Sequence, residues 1–341
     1  MHMNYPTITN KQILITGGAG FIGSNLCDNL IANHNKVICL DNLSTGNFNN
    51  ISHLKENPNF TFIKGDIRSY ETCQQAVKGA HAILHHAALG SVPRSISNPL
   101  ASHEVNITGF LNMLQAAKEE GIKRFIYASS SSVYGDHPGL PKREELLGKP
   151  LSPYAVTKRA NELYAQSFSS LYPELQIIGL RYFNVFGPRQ TPDGPYAAAI
   201  PKFIQALLQH QSPVIYGNGT QSRDFTYIEN VIQANHLALT TSNPEAFNEV
   251  YNIGTGVSLN LNDLVTLLRE YLSKYDSEIQ NIAPQYAHSR AGDVPHSLAL
   301  IDKAKKILGY QPFYSAQQGL QHSMDWYWSK LNIETPLELV P

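Results

Sequence analysis

A tyrosine and a lysine four residues apart, Tyr154 and Lys158, form the pair whose chemistry is easiest to interpret in this sequence. Residues at this spacing share one face of a helix, so both side chains would reach the same site. A free phenol has a pKa near ~10 and is a poor base at neutral pH, but a nearby ammonium group stabilises its anion. Tyr154 would then take a proton from a substrate hydroxyl group while hydride leaves the same carbon atom.

A cluster of four serines, Ser129 to Ser132, follows a short apolar run about twenty residues before that pair. A hydroxyl group at the end of a strand is suited to hold an alcohol or ketone oxygen. We assign that role to Ser130 and expect Ser131 beside it to contact substrate. The YxxxK pattern alone occurs by chance in many helices. Its combination with the serine cluster and a glycine-rich N-terminus indicates a site that moves a hydride and a proton.

A glycine-rich segment, ITGGAGFIG at residues 15–23, follows the first predicted strand and opens the first predicted helix. Its glycines, Gly17, Gly20 and Gly23, give the spacing GxxGxxG. A tight turn, a close approach of the backbone and close packing of helix on sheet each require the absence of a side chain. Free N–H groups at the start of the helix would then bind a pyrophosphate. Asp41 ends the next predicted strand ~20 residues on, which completes the pattern of a dinucleotide-binding unit.

The acid at the end of the second predicted strand favours NAD over NADP. Asp41 can accept hydrogen bonds from both ribose hydroxyl groups, whereas its carboxylate would repel a 2′-phosphate. The segment DNLSTG at 41–46 contains no Arg or Lys that could bind such a phosphate. Asp66, near the end of the third predicted strand, could meet the adenine amino group or be an ordinary turn acid.

Short apolar runs alternate with helix-length segments in the first half of the chain, a pattern typical of buried parallel strands joined by helical crossovers. The predicted strands lie at 12–16, 36–41, 60–66, 82–87, 124–129 and 176–181. The predicted helices lie at 21–34, 99–120 and 153–172. In the last of these, Ser152 is placed to cap the helix and Pro153 suits the first helical position.

The pattern becomes looser after Arg181, beginning with the loop segment NVFGPRQTPDGPY at 184–196. The later elements are predicted as helices near 197–210, 229–241, 260–275 and 315–330 and strands near 213–216 and 250–253. The expected fold is α/β, a doubly wound parallel sheet of the Rossmann type with a smaller C-terminal α/β lobe. We place an NAD-binding domain at 1–181, with later segments returning to it, and a mainly substrate-binding lobe at 182–341. A cleft between them is the expected ligand site.

The composition of the 341-residue chain is that of a globular protein, with 42% hydrophobic and 16% charged residues. A formal net charge of -1 gives no general attraction to nucleic acid or to an anionic membrane. The three cysteines, Cys27, Cys39 and Cys73, are too few and too irregularly spaced for a disulfide framework or a zinc site, and fit a reducing compartment. No signal-peptide pattern or long apolar run is present, so we expect a cytoplasmic protein without a metal.

Five motifs carry a resemblance to a known family: TGGAGFIG, HHAALGSVPRS, SSSSVYGD, SPYAVTK and RYFNVFGPRQ. They resemble the extended short-chain dehydrogenase/reductases and, among these, the nucleotide-sugar epimerases of the UDP-galactose 4-epimerase type. The resemblance extends from about residue 11 to about residue 330. AALGSVPRS and YFNVFGPRQ carry a finer resemblance to the UDP-N-acetylglucosamine 4-epimerases of bacterial surface-polysaccharide pathways.

The resemblance implies tightly held NAD, a UDP-sugar substrate and a role for individual residues. Tyr154 would be the base, Ser130 would hold the reacting oxygen, and Lys158 would also hold the nicotinamide ribose. The implied contacts to NAD are Gly17, Gly20, Phe21, Ile22, Gly23, Asp41, Asn42, Ser44, Thr45, Gly46, Asp66, Ile67, Ala87, Ala88, Asn106, Tyr154, Lys158 and Tyr182. The implied contacts to substrate are Gly90, Ser91, Val92, Ser130, Ser131, Tyr154, Asn184, Ala198, Ala199, Ile200, Tyr216, Arg223, Arg290, Asp293 and Ser297.

The implied activity is that of an isomerase, an NAD-dependent 4-epimerase that inverts C4 of the sugar through a 4-keto intermediate. Ser297 falls where relatives restricted to plain hexoses carry a bulky aromatic residue, so the resemblance implies interconversion of UDP-GlcNAc and UDP-GalNAc. UDP-Glc/UDP-Gal and the uronic acid forms stay open as further substrates. The family also implies a homodimer that pairs through the helices predicted at 99–120 and 153–172.

Three other functions compete with this interpretation. A 4,6-dehydratase or decarboxylase would typically carry an acid just after the strand-terminal hydroxyl residue, where this chain has Ser131 and Ser132. A net sugar oxidoreductase would release its reduced cofactor. A non-enzymatic NAD-sensing or scaffold protein could share the fold but has no need for Tyr154, Lys158 and the serines.

Overall fold

A computed structural model describes residues 5–192, 197–288 and 294–331. Its centre is a seven-stranded sheet in which every neighbouring pair of strands is parallel. The strands in chain order are β1 (Gln12–Thr16), β2 (Lys36–Asp41), β3 (Phe60–Lys64), β4 (Ala82–His85), β5 (Arg124–Ser130), β6 (Gln176–Tyr182), β7 (Val185–Phe186), β8 (Val214–Tyr216), β9 (Ser222–Arg223), β10 (Thr226–Tyr227), β11 (Glu249–Ile253), β12 (Leu259–Asn260), β13 (Gln285–Ala287) and β14 (His296–Ser297).

Helices cover both faces of this sheet. In chain order they are α1 (Phe21–Ala32), α2 (Tyr70–Ala76), α3 (Val92–Ser97), α4 (Pro99–His103), α5 (Gly109–Glu120), α6 (Pro153–Leu171), α7 (Ala199–Leu208), α8 (Ile228–Thr240), α9 (Leu261–Leu272), α10 (Asp302–Leu308) and α11 (Ala316–Leu331). One apolar core lies under α1 and α8 and a second lies under α2 and α5. Because helices cover both faces of the sheet, the side chains of the central strands are apolar on both sides. Their sequences are therefore continuous apolar runs.

The order of the strands in the large sheet is β3-β2-β1-β4-β5-β6-β11. The chain moves outward from β1 in one direction through β2 and β3, then returns to the other side of β1 with β4. This reversal leaves a crevice at the carboxyl ends of β1 and β4, which is where open α/β sheets bind ligands. The predicted doubly wound parallel sheet is therefore confirmed.

Several predicted boundaries differ from the structure. The strands predicted at 60–66 and 82–87 end at Lys64 and His85, and helices α2 and α10 were not predicted. The helix predicted at 99–120 is divided by a π-helical segment, Glu104–Thr108, between α4 and α5. Asn106 in this segment bonds the backbone of Leu89 in both directions, at 2.8 and 3.2 Å, because the wider turn directs its amide inward.

Helix α6 begins as its sequence predicts. The Ser152 hydroxyl accepts a hydrogen bond from the Ala155 backbone N–H at 3.1 Å, and Pro153 occupies the first turn, where its missing N–H costs nothing. Thr157, Lys158 and Glu162 are among the residues that this helix buries against the sheet. A cap at Ser152 therefore fixes the start of the helix that carries Tyr154 in its first turn.

The second half of the chain forms three small sheets and also extends the large one. The small sheets pair β7 with β10, β8 with β13, and β9 with β12 and β14, while β11 joins the large sheet beside β6. The buried carboxylate of Asp224 accepts hydrogen bonds from the backbone N–H groups of Thr255, Gly256 and Ala299 at 2.7 to 3.3 Å. These bonds hold β9, which precedes Asp224, against the segment after β11.

Two classes of feature are not found in residues 5–192, 197–288 and 294–331. None of the helices there combines the length and apolar character needed to cross a bilayer. The same residues contain no group of three or more His, Cys, Asp or Glu side chains arranged to hold a metal ion.

Candidate active site

The glycine-rich turn after β1 has the close backbone contacts that its sequence predicts. Gly17 has φ +70°, and a Cβ atom there would lie 2.7 Å from the backbone nitrogen of Ala87, which follows β4. A Cβ atom on Gly23 would overlap the carbonyl oxygen of Gly17. Helix α1 begins after Gly20 with no side chain capping it, so its first N–H groups point at the turn. The turn is therefore shaped for a pyrophosphate bound by backbone groups.

Asp41 closes the other side of this turn, at the end of β2. Its carboxylate accepts hydrogen bonds from the backbone N–H groups of Leu43, at 2.8 Å, and Ala19, at 3.0 Å. Burial raises the pKa of this carboxyl group above its ordinary value, while the two N–H groups oppose the change. A Cβ atom on Gly46 would lie 3.0 Å from both carboxylate oxygens, so the loop after β2 approaches Asp41 closely.

Asp66 is already engaged by neighbouring side chains. Arg68 pairs with its carboxylate at 2.8 Å, and the Asn42 side-chain amide donates to it at 2.8 Å. The Arg68 guanidinium is the main reason that the pKa of this carboxyl lies near 2. Asn42 and Asp66, both predicted to contact NAD, therefore lie together at the ends of β2 and β3, and the role of Asp66 toward adenine stays a prediction.

Tyr154, Ser130 and Lys158 come together where α6 crosses the end of β5. The Ser130 hydroxyl hydrogen bonds to the phenol of Tyr154, and this bond lowers the pKa of Tyr154, against a larger increase caused by burial. The Lys158 ammonium donates a 2.8 Å hydrogen bond to the carbonyl oxygen of Ala128. Lys158 is 3% exposed, and burial lowers its pKa to about 8.

The electrostatic partner of Tyr154 in the structure differs from the one predicted. The sequence suggested that the Lys158 ammonium lowers the pKa of the Tyr154 phenol. In the structure that ammonium is directed at the Ala128 carbonyl, and Ser130 is the group that lowers the pKa of the phenol. Ser130 therefore connects the reacting oxygen and the base, since one hydroxyl group can hold both.

A third side chain, Ser95 in α3, was missed by sequence reasoning. Its buried hydroxyl accepts a 3.0 Å hydrogen bond from the backbone N–H of Tyr154 and donates to the carbonyl of Val92 at 2.7 Å. Ser95 is far from Tyr154 in the chain, and a serine within a short helix gives no sequence signal of such a contact. It joins the loop of predicted substrate contacts, which includes Ser91 and Val92, to the start of α6.

The two histidines that end β4 face opposite sides of the sheet. His85 bonds the Thr16 hydroxyl at 2.9 Å, and His86 bonds the hydroxyl of Tyr182 at 3.0 Å. Asn235 in α8 also donates to Tyr182, at 2.9 Å. Burial lowers the pKa of His86 to about 3, so this ring is neutral at physiological pH. Both rings are packed side chains, and His86 together with Asn235 fixes Tyr182 at the end of β6.

A cleft of about 1150 Å³ lies between α3 and the second half of the chain. The predicted substrate residues that line it are Ser91, Val92, Asn184, Ala198, Ala199, Ile200, Tyr216 and Arg223. Phe186, Gln190 and Gln221 also line the cleft and were not predicted. The Arg223 guanidinium donates to the carbonyl oxygens of Ser222, at 2.9 Å, and Pro295, at 3.1 Å, which holds the cation at the cleft wall.

The remaining predicted substrate contacts are not all placed on this cleft. Arg290 and Asp293 lie outside the described residues. Ser297 is 6% exposed in β14, where it pairs with Arg223 of β9, and it is not among the described residues that line the cleft. Gly90 precedes the lining residues of α3, and Ser131 follows Ser130 beside Tyr154.

Comparison with known proteins identifies the family. The model of the NAD dependent epimerase/dehydratase family matches residues 13–254, which span the glycine-rich turn, the serine cluster, α6 and β11. The chain belongs to this family. A curated relative, the putative UDP-glucose 4-epimerase of Methanocaldococcus jannaschii, is 37% identical over 317 residues, which cover 92% of this chain and 98% of the relative.

Solved structures of the family have the same architecture. The UDP-N-acetylglucosamine 4-epimerase from Methanobrevibacter ruminantium M1, in complex with UDP-N-acetylmuramic acid, is 39% identical with a TM-score of 0.87, covering 94% of this chain and 99% of that one. The UDP-glucuronic acid 4-epimerase from Bacillus cereus, in complex with UDP-glucuronic acid and NAD, is 33% identical with a TM-score of 0.84, covering 93% and 99%.

The residues at the carboxyl ends of β1 and β2 fit the NAD on which this family depends. A side chain at Gly17 or Gly23 would fill the turn that a pyrophosphate needs, and Asp41 offers a carboxylate for ribose hydroxyl groups. Lys158 and Tyr182 lie at the ends of α6 and β6 nearest this crevice, where they would hold the nicotinamide half. When bound, NAD supplies the group that accepts hydride and gives it back.

Replacing Tyr154 with Phe should abolish turnover and leave the fold intact. We expect the phenol to be the proton-transfer group, and the loss of such a group typically costs ~10²- to 10⁴-fold in rate. Its bond to Ser130 is a single hydrogen bond, so the free energy of unfolding should fall by only about 1 kcal/mol. Steady-state turnover and thermal unfolding measure the two effects. Tyr164→Phe, on the outer face of the same helix, is the matched control, and equal activity of both variants would refute the role of Tyr154.

Proposed function

We propose that this protein is an NAD-dependent UDP-sugar 4-epimerase that interconverts UDP-GlcNAc and UDP-GalNAc for surface polysaccharide synthesis. The observation that carries the proposal is the meeting of Ser130, Tyr154 and Lys158 at the end of β5, beside a dinucleotide turn and a cleft lined by the predicted substrate contacts. The relatives support the general reaction, since the curated relative and both solved structures described above are named as UDP-sugar 4-epimerases.

The proton chemistry follows from the contacts of three side chains. We assign Ser130 to hold the C4 oxygen next to the Tyr154 phenol, so the proton moves between the sugar hydroxyl and the phenol within hydrogen-bonding reach. Burial raises the pKa of Tyr154, so the phenol is protonated at neutral pH and has a proton to give when the C4 hydroxyl is re-formed. Ser130 lowers the pKa of the phenol in the structure, and the family resemblance implies a positive charge on Lys158 that would also favour the phenolate during the opposite step.

Inversion at C4 requires that the sugar turns over while the rest of the substrate stays bound. Arg223 and Asn184 line the cleft away from Tyr154, and a guanidinium group binds phosphate oxygens in a planar fork. We assign these residues, with Arg290 and Asp293, to the nucleoside diphosphate. In this arrangement Ser91 and Val92, at the start of α3, surround the sugar. The cleft volume of about 1150 Å³ leaves space for the sugar to rotate.

The alternative of a 4,6-dehydratase needs an additional acid–base group for elimination across C5 and C6. The positions after Ser130 are Ser131 and Ser132, whose hydroxyl groups do not ionise near neutral pH. The Ser132 backbone N–H donates to the Ser130 hydroxyl at 3.2 Å, and this bond helps to orient the Ser130 side chain. Epimerisation needs no further acid at these positions.

Purified protein given UDP-GlcNAc without added NAD should form UDP-GalNAc until the two sugars reach equilibrium. Each cycle regenerates the oxidised cofactor, so NAD that copurifies with the protein is sufficient. Separation of nucleotide sugars by ion-pair chromatography measures the product, and released cofactor is quantified from denatured protein. Parallel reactions with UDP-Glc and UDP-glucuronate rank the substrates. Protein that holds NAD and forms no C4 product from any of these sugars would refute the proposal.

Replacing Ser297 with Tyr should remove activity toward the N-acetylated substrate while activity toward UDP-Glc is retained. Ser297 is not itself among the described residues that line the cleft, but the resemblance places a bulky aromatic residue here in relatives restricted to plain hexoses. We therefore expect the larger ring to reach the space of the N-acetyl group and to lower kcat/KM for UDP-GlcNAc by at least ~10-fold relative to that for UDP-Glc. The UDP-Glc rate of the same variant controls for folding, and Ser297→Ala should leave the ratio unchanged. Equal losses for both sugars would exclude Ser297 as the specificity residue.

We also propose that the protein forms a homodimer through the helical segment 99–120, which contains α4 and α5, and through α6. Large apolar side chains are exposed on these helices, and the most exposed are Leu100 (75%), Leu171 (66%), Leu163 (52%) and Val156 (50%). Exposed apolar side chains grouped on one surface mark an interface more often than free surface. Val156 and Leu163 are two helical turns apart, so they lie on one stripe of α6.

Replacing Leu163 with Glu should convert the dimer to monomer. A carboxylate in the centre of an apolar interface loses its hydration without gaining a partner. Light scattering after size-exclusion chromatography measures the mass. Val257→Glu, at a side chain that is 67% exposed in the second half of the chain, is the matched control and should remain dimeric. A wild-type protein that is monomeric, or an L163E protein that is still dimeric, would contradict this interface.

A further inference from the structure

A buried carboxylate, Glu162, lies one turn beyond Lys158 on the inner face of α6. It is 4% exposed and receives four hydrogen bonds. Ser129 and Arg181 donate to its first oxygen at 2.6 and 2.7 Å, and Arg181 and Arg159 donate to its second oxygen at 2.9 and 3.0 Å. A carboxylate bound this completely has one orientation, because each of its oxygens is held by two donors.

Glu162 completes a set of contacts in which three consecutive turns of α6 reach three adjacent residues of β5, Ala128 to Ser130. Tyr154 bonds the Ser130 hydroxyl, and Lys158 bonds the Ala128 carbonyl. Glu162 bonds the hydroxyl of Ser129, the residue between them. All three contacts depend on the same placement of the helix along the strand, so a shift of the helix would disturb them together.

We propose that Glu162 is a positioning residue that fixes the ammonium group of Lys158 and the hydroxyl group of Ser130 relative to Tyr154. It does so through Ser129, which it binds directly, and through its negative charge one turn from Lys158. This inference rests on the proposed epimerase reaction, and nothing in it requires Glu162 to touch substrate or cofactor.

The carboxylate of Glu162 places a negative charge one helical turn from Lys158. Burial lowers the pKa of Lys158 to about 8, and Glu162 opposes this change. His85 at the end of β4 and His86 after it both interact electrostatically with Lys158, and burial keeps both rings neutral. The other titratable groups beside this part of α6 are Tyr127, Tyr154, Arg159 and Arg181. The carboxylate of Glu162 is therefore the only negative charge among these groups.

The fold alone does not account for a carboxylate at this position. Arg181 has other acceptors, since it donates to the Tyr134 hydroxyl at 3.0 Å and to the Glu144 carbonyl at 2.9 Å. An apolar pair of similar volume is often as stable as a buried ion pair. An apolar pair could neither bond the Ser129 hydroxyl nor place a negative charge one turn from Lys158.

Replacing Glu162 with Gln tests the proposal. Turnover should fall ~10- to 100-fold with little change in KM, because the groups are misplaced and not removed. The alkaline limb of the kcat profile should move to lower pH by ~1 unit, because a lysine without its counter-ion loses its proton more easily. A carbon NMR titration of lysines labelled at the ε-carbon, with Lys158 assigned from the Lys158→Arg variant, measures the same shift without substrate.

Two further variants separate positioning from folding. Glu162→Gln combined with Arg181→Gln removes both buried charges, so it avoids an unpaired guanidinium; its lysine titration should stay shifted. Glu229→Gln removes a largely buried carboxylate from α8, away from Lys158, and should leave the titration and the pH profile unchanged.

The outcomes are distinct. A wild-type titration of Lys158 in either Glu162 variant, or a double variant that recovers the wild-type pH profile, would overturn the proposal and leave Glu162 as a partner of Arg181 alone. Absence of C4 epimerisation by the wild-type protein would instead defeat the proposed reaction. The lysine titration would still report whether Glu162 controls Lys158, because it needs neither substrate nor turnover.

Discussion

The placement of α6 along β5 is the constraint on which the candidate site depends. A helix advances about 1.5 Å per residue and a strand about 3.3 Å, so one helical turn covers less than two strand residues. Tyr154, Lys158 and Glu162 can therefore meet three adjacent residues at the strand end in only one register. The Ser152 cap fixes where the helix starts, and Glu162 fixes how it lies on the strand. The side chains proposed to carry out the reaction lie between these two contacts.

The parallel sheet brings the other half of the reaction to the same edge. The carboxyl ends of β1, β2, β4, β5 and β6 lie side by side, and each contributes one part of the site. The glycine turn follows β1, Asp41 ends β2, and Ser130 ends β5. Segments that are distant in the sequence thus come together without long loops, since every parallel strand ends at the same edge of the sheet. The same geometry explains why the substrate cleft opens beside this edge.

Local signals and distant contacts were not equally predictable. The glycine spacing, the Ser152 cap and the six strands of the first half each follow from neighbouring residues, and the structure places them within one or two residues of the prediction. Glu162 could have been found from its spacing of four after Lys158, and Arg181 from its charge in an apolar strand. Their pairing could not, because only the packing of α6 on β6 brings them together. The same holds for Ser95, which reaches Tyr154 across 59 positions.

Reaction site and substrate lobe are joined by one chain of polar contacts. Arg181 binds the Tyr134 hydroxyl, which donates to the Asn252 side chain at 2.6 Å. Asn252 in turn donates to the carbonyl oxygens of Lys142, at 2.9 Å, and Leu300, at 3.0 Å. Leu300 follows β14, whose partner β9 carries Arg223 at the cleft wall. Leaving any one of these buried polar groups unpaired costs free energy, so we expect a displacement of one group to displace its hydrogen-bond partners. The geometry at Tyr154 and the position of β9, which carries Arg223, are therefore linked by one series of contacts, as the proposed turnover of a tethered sugar requires.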